Sequence, residues 1–572
     1  MSFFEELKRR NVFKVTVIYV IVGWVLLQVA DVLFSALNLP GWTVTLVAGL
    51  LIIGFPVALI FAWAFELTPE GVRREGTAVP AAEVEESAER EVVEESAAYA
   101  SALAVSVADA KSIAVLPFVN MSDDESNEYF SDGISEELLN LLAKIPKLRV
   151  AAQTSSFSLK GKEMQILEVG EILKVDHVLE GSVRKAGNQV RITAQLIKVD
   201  DGYHMWSETY DRTLDNIFAI QDEIAVAVVE QLKITLLGQV PTVKKTDPTA
   251  YALYLRARQL ARQSNAKAWE QSIVLYQQAL AAAPGYASAW AGLADVYSRQ
   301  TNKALRSFDE GYALALDAAE KALEVDPENA DAHASLGSIA LSSNSDIAMS
   351  ARHFEQALAL GADNPDILLE AAILARSLGR QDVAIALLEF VVARDPVNSI
   401  SHYRLGSTYL WAGRLDAAIA SIRIALSLSP GRIVAQWAIG VALLLKGEPK
   451  AALEAMQQES DKGWRTAGLV LAYHALGQVA ESDAALVEII ESLEHEAAYN
   501  IAYLFAFRGE SDRAFEWLDK AVQYNDPGLQ DIPVQPLFSN VHSDPRWLPF
   551  LESIGKSPRQ LAAIGFKVTL PE

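Results

Sequence analysis

The chain has 572 residues, of which 51% are hydrophobic, and its 49 Lys and Arg residues are outnumbered by 73 Asp and Glu residues, giving a formal net charge of −24. So acidic a chain is a poor candidate for binding a nucleic acid backbone, and its hydrophobic fraction excludes a wholly disordered protein. The absence of cysteine excludes disulfide scaffolds, thiolate zinc sites, iron–sulfur clusters and cysteine nucleophiles.

The first predicted element is a transmembrane helical hairpin at residues 15–65, which follows a basic N-terminal segment, 1–14. Residues 15–30 and 42–65 contain no charged side chain. With the apolar pattern that continues beyond residue 30, each stretch is long enough to cross a hydrocarbon core of ~30 Å. Residues 38–41, Asn-Leu-Pro-Gly, predict a turn between them. A cleaved signal peptide is the alternative interpretation of the first stretch.

The basic residues around this hairpin predict its orientation. Four basic residues precede it and Arg73 and Arg74 follow it, whereas the connecting turn has none. By the positive-inside rule both termini lie in the cytoplasm, which predicts a multi-pass protein of the bacterial inner membrane, in contact with the lipid bilayer. Residues 66–110, with eleven acidic residues and three arginines, predict an acidic tether.

An α/β domain is predicted at residues 111–240. Short β-rich runs and period-two alternation predict its strands, and apolar residues at helical spacing predict the helices between them. The predicted strands are 112–118, 148–152, 177–183, 190–197 and 203–208, and the predicted helices are 134–142, 166–173 and 214–237.

Five sequence blocks in this domain carry a family resemblance. They begin at Ile113 (IAVLPF), Tyr129 (YFSDGISEEL), Val178 (VLEGSVR), Val190 (VRITAQL) and Trp206 (WSETYD). In this order they resemble the TolB-like N-terminal domain that precedes tetratricopeptide (TPR) repeats in bacterial regulatory proteins. Members of that family commonly carry a class III nucleotide cyclase or a winged-helix DNA-binding domain upstream. Here the predicted hairpin and tether occupy that position.

The block at residues 132–137, Asp-Gly-Ile-Ser-Glu-Glu, has two interpretations. A glycine at a helix start with free amides can bind an anion. No lysine follows as in a phosphate-binding loop, however, and two glutamates in the first turn would repel phosphate. Helix capping is therefore the preferred interpretation, because acidic residues stabilise a helix start.

From residue 247 onward the sequence repeats itself at a fixed period. The clearest unit contains His402, Leu405, Gly406, Tyr409 and Pro430, and Pro396 lies one 34-residue period before Pro430. These spacings match the TPR pattern, in which two antiparallel helices form each repeat. The sequence predicts an all-α solenoid of about eight helix pairs over 247–556, followed by a C-terminal tail at 557–572.

TPR solenoids bind protein segments in a concave groove lined mainly by the first helix of each repeat. By register, the predicted groove-facing residues are Arg376, Tyr403, Trp411 and Trp437. Aromatic and arginine side chains are good binding anchors. The alternative is that these aromatic rings are packed between helices, which is their more common position.

The sequence contains none of the usual catalytic or nucleotide-binding motifs. Its eight histidines are scattered without the convergent spacing that metal ligands need. No enzyme activity, cofactor or metal is therefore predicted.

Together these features predict a multi-domain protein, with a transmembrane hairpin, a TolB-like α/β domain and a TPR solenoid. Its predicted function is a membrane-anchored, non-enzymatic scaffold that binds protein or peptide partners and takes part in regulation. One alternative is a sensory transducer whose α/β domain binds a small ligand. The second is a subunit or regulator of a nucleotide cyclase-type signalling enzyme, which rests only on the family resemblance.

Overall fold

In the computed structural model, the described residues are 66–68, 71–73, 111–145, 148–234, 244–263, 265–343 and 346–570. The chain divides into two compact units, Met1–Val92 and Val93–Glu572. In the first unit, β1 (Glu66–Thr68) and β2 (Gly71–Arg73) form an antiparallel pair in which Glu66 lies opposite Arg73. A short strand pair thus occupies the start of the segment predicted as an acidic tether.

The first described part of the second unit is a mixed β-sheet with the strand order β5-β3-β6-β7-β8. The short strand β4 also pairs with β6, along the same edge of β6 as β3. β3 is parallel to β5 and β6, whereas β6, β7 and β8 form an antiparallel meander. The strands are β3 (Lys111–Val115), β4 (Val119–Asn120), β5 (Leu148–Val150), β6 (His177–Ala186), β7 (Gln189–Lys198) and β8 (His204–Thr213).

Helices cover both faces of this sheet, because its central strands are apolar on both sides. The helices are α1 (Glu128–Ala143), α2 (Gln153–Phe157), α3 (Ile166–Leu173) and α4 (Ile217–Gln231). Buried residues of α1 and α4, such as Leu138 and Ile224, share one apolar cluster with Leu179 and Ile192. α3 contributes to a separate cluster that contains Val178.

A glycine allows the close contact between β6 and the loop before β4. A Cβ atom at Gly181 would lie 2.2 Å from the main-chain oxygen of Thr193 and 2.8 Å from the ring of Phe118. Only a residue without a side chain fits between these two neighbours. The buried Phe118 ring is thereby held against the sheet.

The remainder of the second unit is helical. Eight successive antiparallel helix pairs are present among the described residues. They are α5 (Pro248–Ala261) with α6 (Ala266–Ala282), α7 (Ala287–Asn302) with α8 (Phe308–Val325), α9 (Ala330–Ser343) with α10 (Ile347–Leu360), α11 (Pro365–Ser377) with α12 (Gln381–Arg394), α13 (Ser399–Trp411) with α14 (Leu415–Leu428), α15 (Ala435–Leu445) with α16 (Pro449–Gln457), α17 (Lys462–Ala475) with α18 (Val479–Leu493), and α19 (Ala498–Phe507) with α20 (Ser511–Gln523).

Glycines set the geometry of the later pairs. Gly379 and Gly413, one period apart, adopt φ values of +74° and +73° directly after α11 and α13, where the chain turns into the second helix of each pair. At the helix crossing, a Cβ atom on Gly406 would lie 2.5 Å from the side chain of Ile422. The small residues noted in the repeat pattern therefore permit the close approach of α13 and α14.

After α20 the chain turns back along the solenoid. It forms two 3₁₀ turns, Pro527–Asp531 and Pro536–Val541, then α21 (Trp547–Ser553), α22 (Pro558–Ala562) and an irregular segment to residue 570. Phe538, Trp547, Phe550 and Leu551 join the apolar cluster of the last repeats.

The predicted fold class and localisation require correction. The predicted transmembrane hairpin, residues 15–65, lies outside the described residues. In the part of the chain that is described, no helix is both long and apolar enough to cross a bilayer. The predicted membrane-anchored, multi-pass inner-membrane protein with cytoplasmic termini is therefore not supported, nor is the lipid bilayer as a partner. The architecture that is supported is a small mixed-sheet domain followed by an all-α TPR solenoid.

Candidate functional site

The α/β domain contacts the solenoid at two places that are far apart in sequence. At the first junction, α1 packs against α5, and Leu255 fills the space that a side chain on Gly133 would need. Arg258 of α5 lies 3.1 Å from Glu136 and 2.8 Å from Glu137, both in α1. Arg262 donates two hydrogen bonds to Glu136.

The electrostatics of this junction explain the acidic block at residues 132–137. Burial alone would raise the pKa of Glu136, but the two neighbouring guanidinium groups outweigh burial and hold the pKa below its usual value. α1 begins at Glu128, so Glu136 lies in the middle of the helix and not in its first turn. The interpretation of this block as a helix cap is therefore wrong: Glu136 and Glu137 form ion pairs with the solenoid, and Asp132 pairs with Lys160 of the α/β domain.

The second junction joins α2 to the turn between α12 and α13. Asp395 is fully buried there. It accepts hydrogen bonds from Thr154 Oγ1 at 2.5 Å, Ser155 Oγ at 2.6 Å and Asn398 Nδ2 at 2.6 Å. The amide of Ala152 also donates to the carbonyl of Arg394 at 2.8 Å. The α/β domain is thus attached to the first helix pair and, again, after the fourth pair.

Between the two junctions, the first helix of each of three successive pairs carries carboxylates that solvent reaches. Asp295 of α7, Asp331 of α9 and Asp366 of α11 are 36 and 35 residues apart, and Glu370 lies one turn after Asp366. We call these four residues the acidic ladder. Asp295 and Glu370 side chains are 45% and 41% exposed, and Asp331 and Asp366 are also exposed.

The ladder carboxylates are in contact with solvent, but the surrounding helices still partly bury them. Burial, and next the proximity of other ladder carboxylates, raise the pKa of Asp331. Burial also raises the pKa of Asp366 and of Glu370, against the effect of nearby arginines. Arg299 pairs with Asp295 at 2.8 Å, and Arg404 lies 3.5 Å from Glu370. The ionised forms of these carboxylates are therefore disfavoured at this surface. A cationic group bound nearby would stabilise them.

Sequence reasoning missed the ladder. Its signal in the sequence is an acidic residue that recurs at nearly the repeat period. The predicted groove residues are instead aromatic and arginine side chains, which are common binding anchors.

The four predicted groove residues lie further along the solenoid, where the C-terminal segment passes. Arg376 donates to both carboxylate oxygens of Asp531, at 2.9 and 3.1 Å, and its guanidinium lies 4.4 Å from the ring centroid of Trp411. Trp437 is 5% exposed, and its ring centroid is 5.0 Å from that of Trp464. Arg376, Trp411 and Trp437 are therefore packed within the chain.

Tyr403 is half-buried, and its ring centroid lies 5.6 Å from the guanidinium of Arg432. Burial raises the pKa of its hydroxyl. The indole nitrogens of Trp411 and Trp437 are buried and have no hydrogen-bond acceptor in the described part of the protein.

Within the described ranges, no group of three or more His, Asp or Glu side chains is arranged to hold a metal ion.

Two family models match parts of the chain. Residues 109–227 match the second domain of the HilA/YgeH-like transcriptional regulators. Residues 308–365 and 369–433 match the tetratricopeptide repeat. The predicted TPR repeats are thus confirmed in the C-terminal part, and they suggest a scaffold for protein–protein interaction. The TolB-like assignment of the α/β domain is not shown by these matches.

A relative from Rhizobium meliloti (strain 1021), named "Putative adenylate cyclase 3", is 40% identical over 233 residues, which are 39% of this chain and 39% of the relative. The chain thus spans about two fifths of the length of the curated relative that it matches.

Among solved structures, the human IFIT1 dimer with m7Gppp-AAAA is 14% identical, with a TM-score of 0.34, over 54% of this chain and 77% of that one. Pseudomonas aeruginosa PilF is 18% identical, with a TM-score of 0.30, over 36% and 90%. Both TM-scores are below 0.5, so neither likeness supports a functional inference.

Proposed function

We propose that the chain is a non-enzymatic regulatory scaffold, and that the acidic ladder binds a basic segment of a protein partner. The confirmed TPR repeats support the scaffold role. The HilA/YgeH-like match of the preceding domain supports a regulatory one.

The observation that carries this proposal is the placement of three solvent-accessible carboxylates, Asp331, Asp366 and Glu370, on the first helices of adjacent repeats. The raised pKa of each of them supports it. Their positions recur with the repeats, so a single extended segment could contact several of them in turn. Each Lys or Arg of such a segment would replace repulsion between carboxylates with attraction. Because these groups also protonate more readily than ordinary carboxylates, binding should weaken as the pH falls toward their raised pKa values.

The two junctions give the α/β domain a role in this proposal. Arg258 and Lys144 are charged groups on the α5 and α/β sides of the first junction, and both influence Asp331 electrostatically. A change in the docking of the α/β domain would therefore alter the charge that the ladder presents. This provides a route by which that domain could regulate partner binding.

The test is a binding titration with a fluorescein-labelled oligolysine peptide and the full chain. The variant Asp331→Asn/Asp366→Asn/Glu370→Gln removes three charges from the ladder. At about 0.5 kcal/mol per charge pair, the loss is about 1.5 kcal/mol, or roughly tenfold in Kd. Fluorescence anisotropy at low and high salt measures this change, and salt should reduce it.

A matched control separates the ladder from the general acidity of the chain. Glu320→Gln/Glu324→Gln/Glu328→Gln removes the same number of charges from exposed residues of α8 and the turn that follows. We expect this variant to change Kd less than twofold. If both variants weaken binding equally, the ladder is not the binding surface and the proposal fails.

Regulation of a nucleotide cyclase-type enzyme is a second candidate, favoured by the name of the Rhizobium meliloti relative. In that case the purified chain would change the activity of a cyclase catalytic domain added in trans. A cyclase assay with and without the chain tests this, and the ladder variant shows whether the same surface is used.

A further inference from the structure

The last described residues run as an extended segment against the solenoid. Residues 565–570 have no regular secondary structure. Burial alternates along 564–570: Phe566 and Val568 are 6% and 7% exposed, and the odd-numbered residues between and beside them are exposed. We call residues 564–570 the strap. Alternation of this kind is typical of an extended peptide that buries one face.

Side chains of the solenoid recognise the main chain of the strap. Arg380, the residue before α12, donates to the carbonyl oxygen of Phe566 at 2.9 Å and also to that of Ile564. Glu355 of α10 accepts a hydrogen bond from the amide of Lys567 at 2.5 Å. Three main-chain groups of the strap are thus paired by two charged side chains, in the manner of a bound peptide.

Arg414, the equivalent residue of the next repeat, differs from Arg380 in both exposure and hydrogen-bond partners. Arg414 occurs one 34-residue period later, and it is 50% exposed and pairs with Asp382 at 2.9 Å. Arg380, in contrast, is partly buried. Burial lowers its pKa although Glu355 acts against this effect. Its guanidinium therefore depends on the carbonyl oxygens of the strap for hydrogen bonds.

The apolar side of the strap completes a core that the solenoid leaves open. Phe566, Val568 and Leu561 belong to the same buried cluster as residues of α9 to α13, among them Phe354 and Leu388. Ile564 and Leu570 pack against the margin of this cluster. Removal of the strap would expose an apolar groove beside Arg380 and Glu355.

We propose that this groove is a docking site for an extended segment of a protein partner with apolar side chains at alternate positions. In the absence of that partner, the strap of the same chain occupies the groove. Main-chain recognition by Arg380 and Glu355 tolerates different sequences, and the two anchor positions select for apolar residues. The inference is independent of the acidic ladder, because Arg380 and Glu355 belong to other helix surfaces.

The experiment uses a labelled synthetic peptide of residues 558–572 and the full chain. In the variant Phe566→Asp/Val568→Asp, the chain's own strap should leave the groove. A tethered segment competes at an effective concentration of about 1 mM, so releasing it should tighten peptide binding at least tenfold relative to the unmodified chain. Anisotropy measures the binding, and circular dichroism verifies that the helical content is unchanged.

Two further variants test the recognition itself. Added to the Phe566→Asp/Val568→Asp variant, Arg380→Met should abolish the tighter peptide binding. Arg414→Met, the matched change one repeat later, should leave the tighter binding unchanged. A peptide with the same two aspartates should not bind. If the folded, strap-released chain binds the peptide no better than the unmodified chain does, the proposal is overturned.

A measurement on the unmodified chain avoids any effect of substitutions on folding. Hydrogen exchange at residues 564–570 should accelerate when the unlabelled peptide is added in excess, because the peptide displaces the strap. Unchanged exchange at saturating peptide would contradict the proposal. Concentration-dependent dimers in sedimentation would also contradict it, because they would indicate that the strap binds a second copy.

Discussion

The second junction makes a quantitative prediction for Asp395→Ala. Two of the three hydrogen bonds that Asp395 accepts come from the α/β domain, from Thr154 and Ser155. Hydrogen bonds to a charged group contribute about 1.5 kcal/mol or more each. The substitution also leaves the buried Ser155 hydroxyl without this acceptor, whereas Thr154 is exposed to solvent. We therefore expect a loss of about 3 kcal/mol in the free energy of unfolding.

Urea denaturation followed by circular dichroism measures this loss, and a double-mutant cycle assigns it. Asp395→Ala, Ser155→Ala and the double variant should give a coupling energy of about 1 to 2 kcal/mol, because each single change removes the same hydrogen bond. Asp382→Ala is the control. This residue of α12 is 55% exposed and ion-paired on the surface, so we expect a loss below about 0.5 kcal/mol.

Two results would refute this reasoning. If Asp395→Ala destabilises the protein no more than Asp382→Ala does, the junction contributes little to stability. A coupling energy near zero between Asp395 and Ser155 would show that their hydrogen bond contributes little, and that the loss arises through Thr154 or Asn398.

Three further predictions concern packing and protonation. Gly181→Ala should cost about 3 kcal/mol in chemical denaturation, because the new Cβ would lie 2.2 Å from a main-chain oxygen. Gly406→Ala should cost about 2 kcal/mol in the same assay, since Ile422 is 2.5 Å from the Cβ position. Burial, partly opposed by Asp531, lowers the pKa of Lys556 to about 8. Below pH 8 its charge therefore destabilises the fold by about 3 kcal/mol, and the penalty disappears as the pH rises toward 10.5. Lys556→Met should raise the denaturant concentration at the unfolding midpoint at pH 7, and it should change this midpoint little near pH 10.5.

Local patterns in the sequence were sufficient for most elements of the α/β domain. α3 coincides with its predicted range, 166–173, and β7 differs from the predicted 190–197 by one residue at each end. Both elements show their period within a few residues, so neighbours in sequence determine them. α1 begins at Glu128, six residues before its predicted start at 134. The ion pairs of Asp132 with Lys160 and of Glu136 with Arg262 are not visible in the local pattern.

The candidate sites depend on still longer separations. Asp395 and Ser155 are 240 residues apart, and Arg380 and Phe566 are 186 residues apart. No periodicity or motif links such residues, so only the folded chain brings them together. The repeat register did identify the helices that carry the ladder. It could not show that Arg376 is paired with Asp531 and thus held by its own chain.

The two junctions also restrict how this solenoid can change its length. In an ordinary repeat array each repeat contacts only its neighbours, so a repeat can be gained or lost at little cost to the others. Here the α/β domain is attached at α5 and again after α12. Deleting one repeat between these points would rotate the Asp395 turn away from Thr154 and Ser155. We therefore expect the number of repeats between α5 and α12 to be fixed.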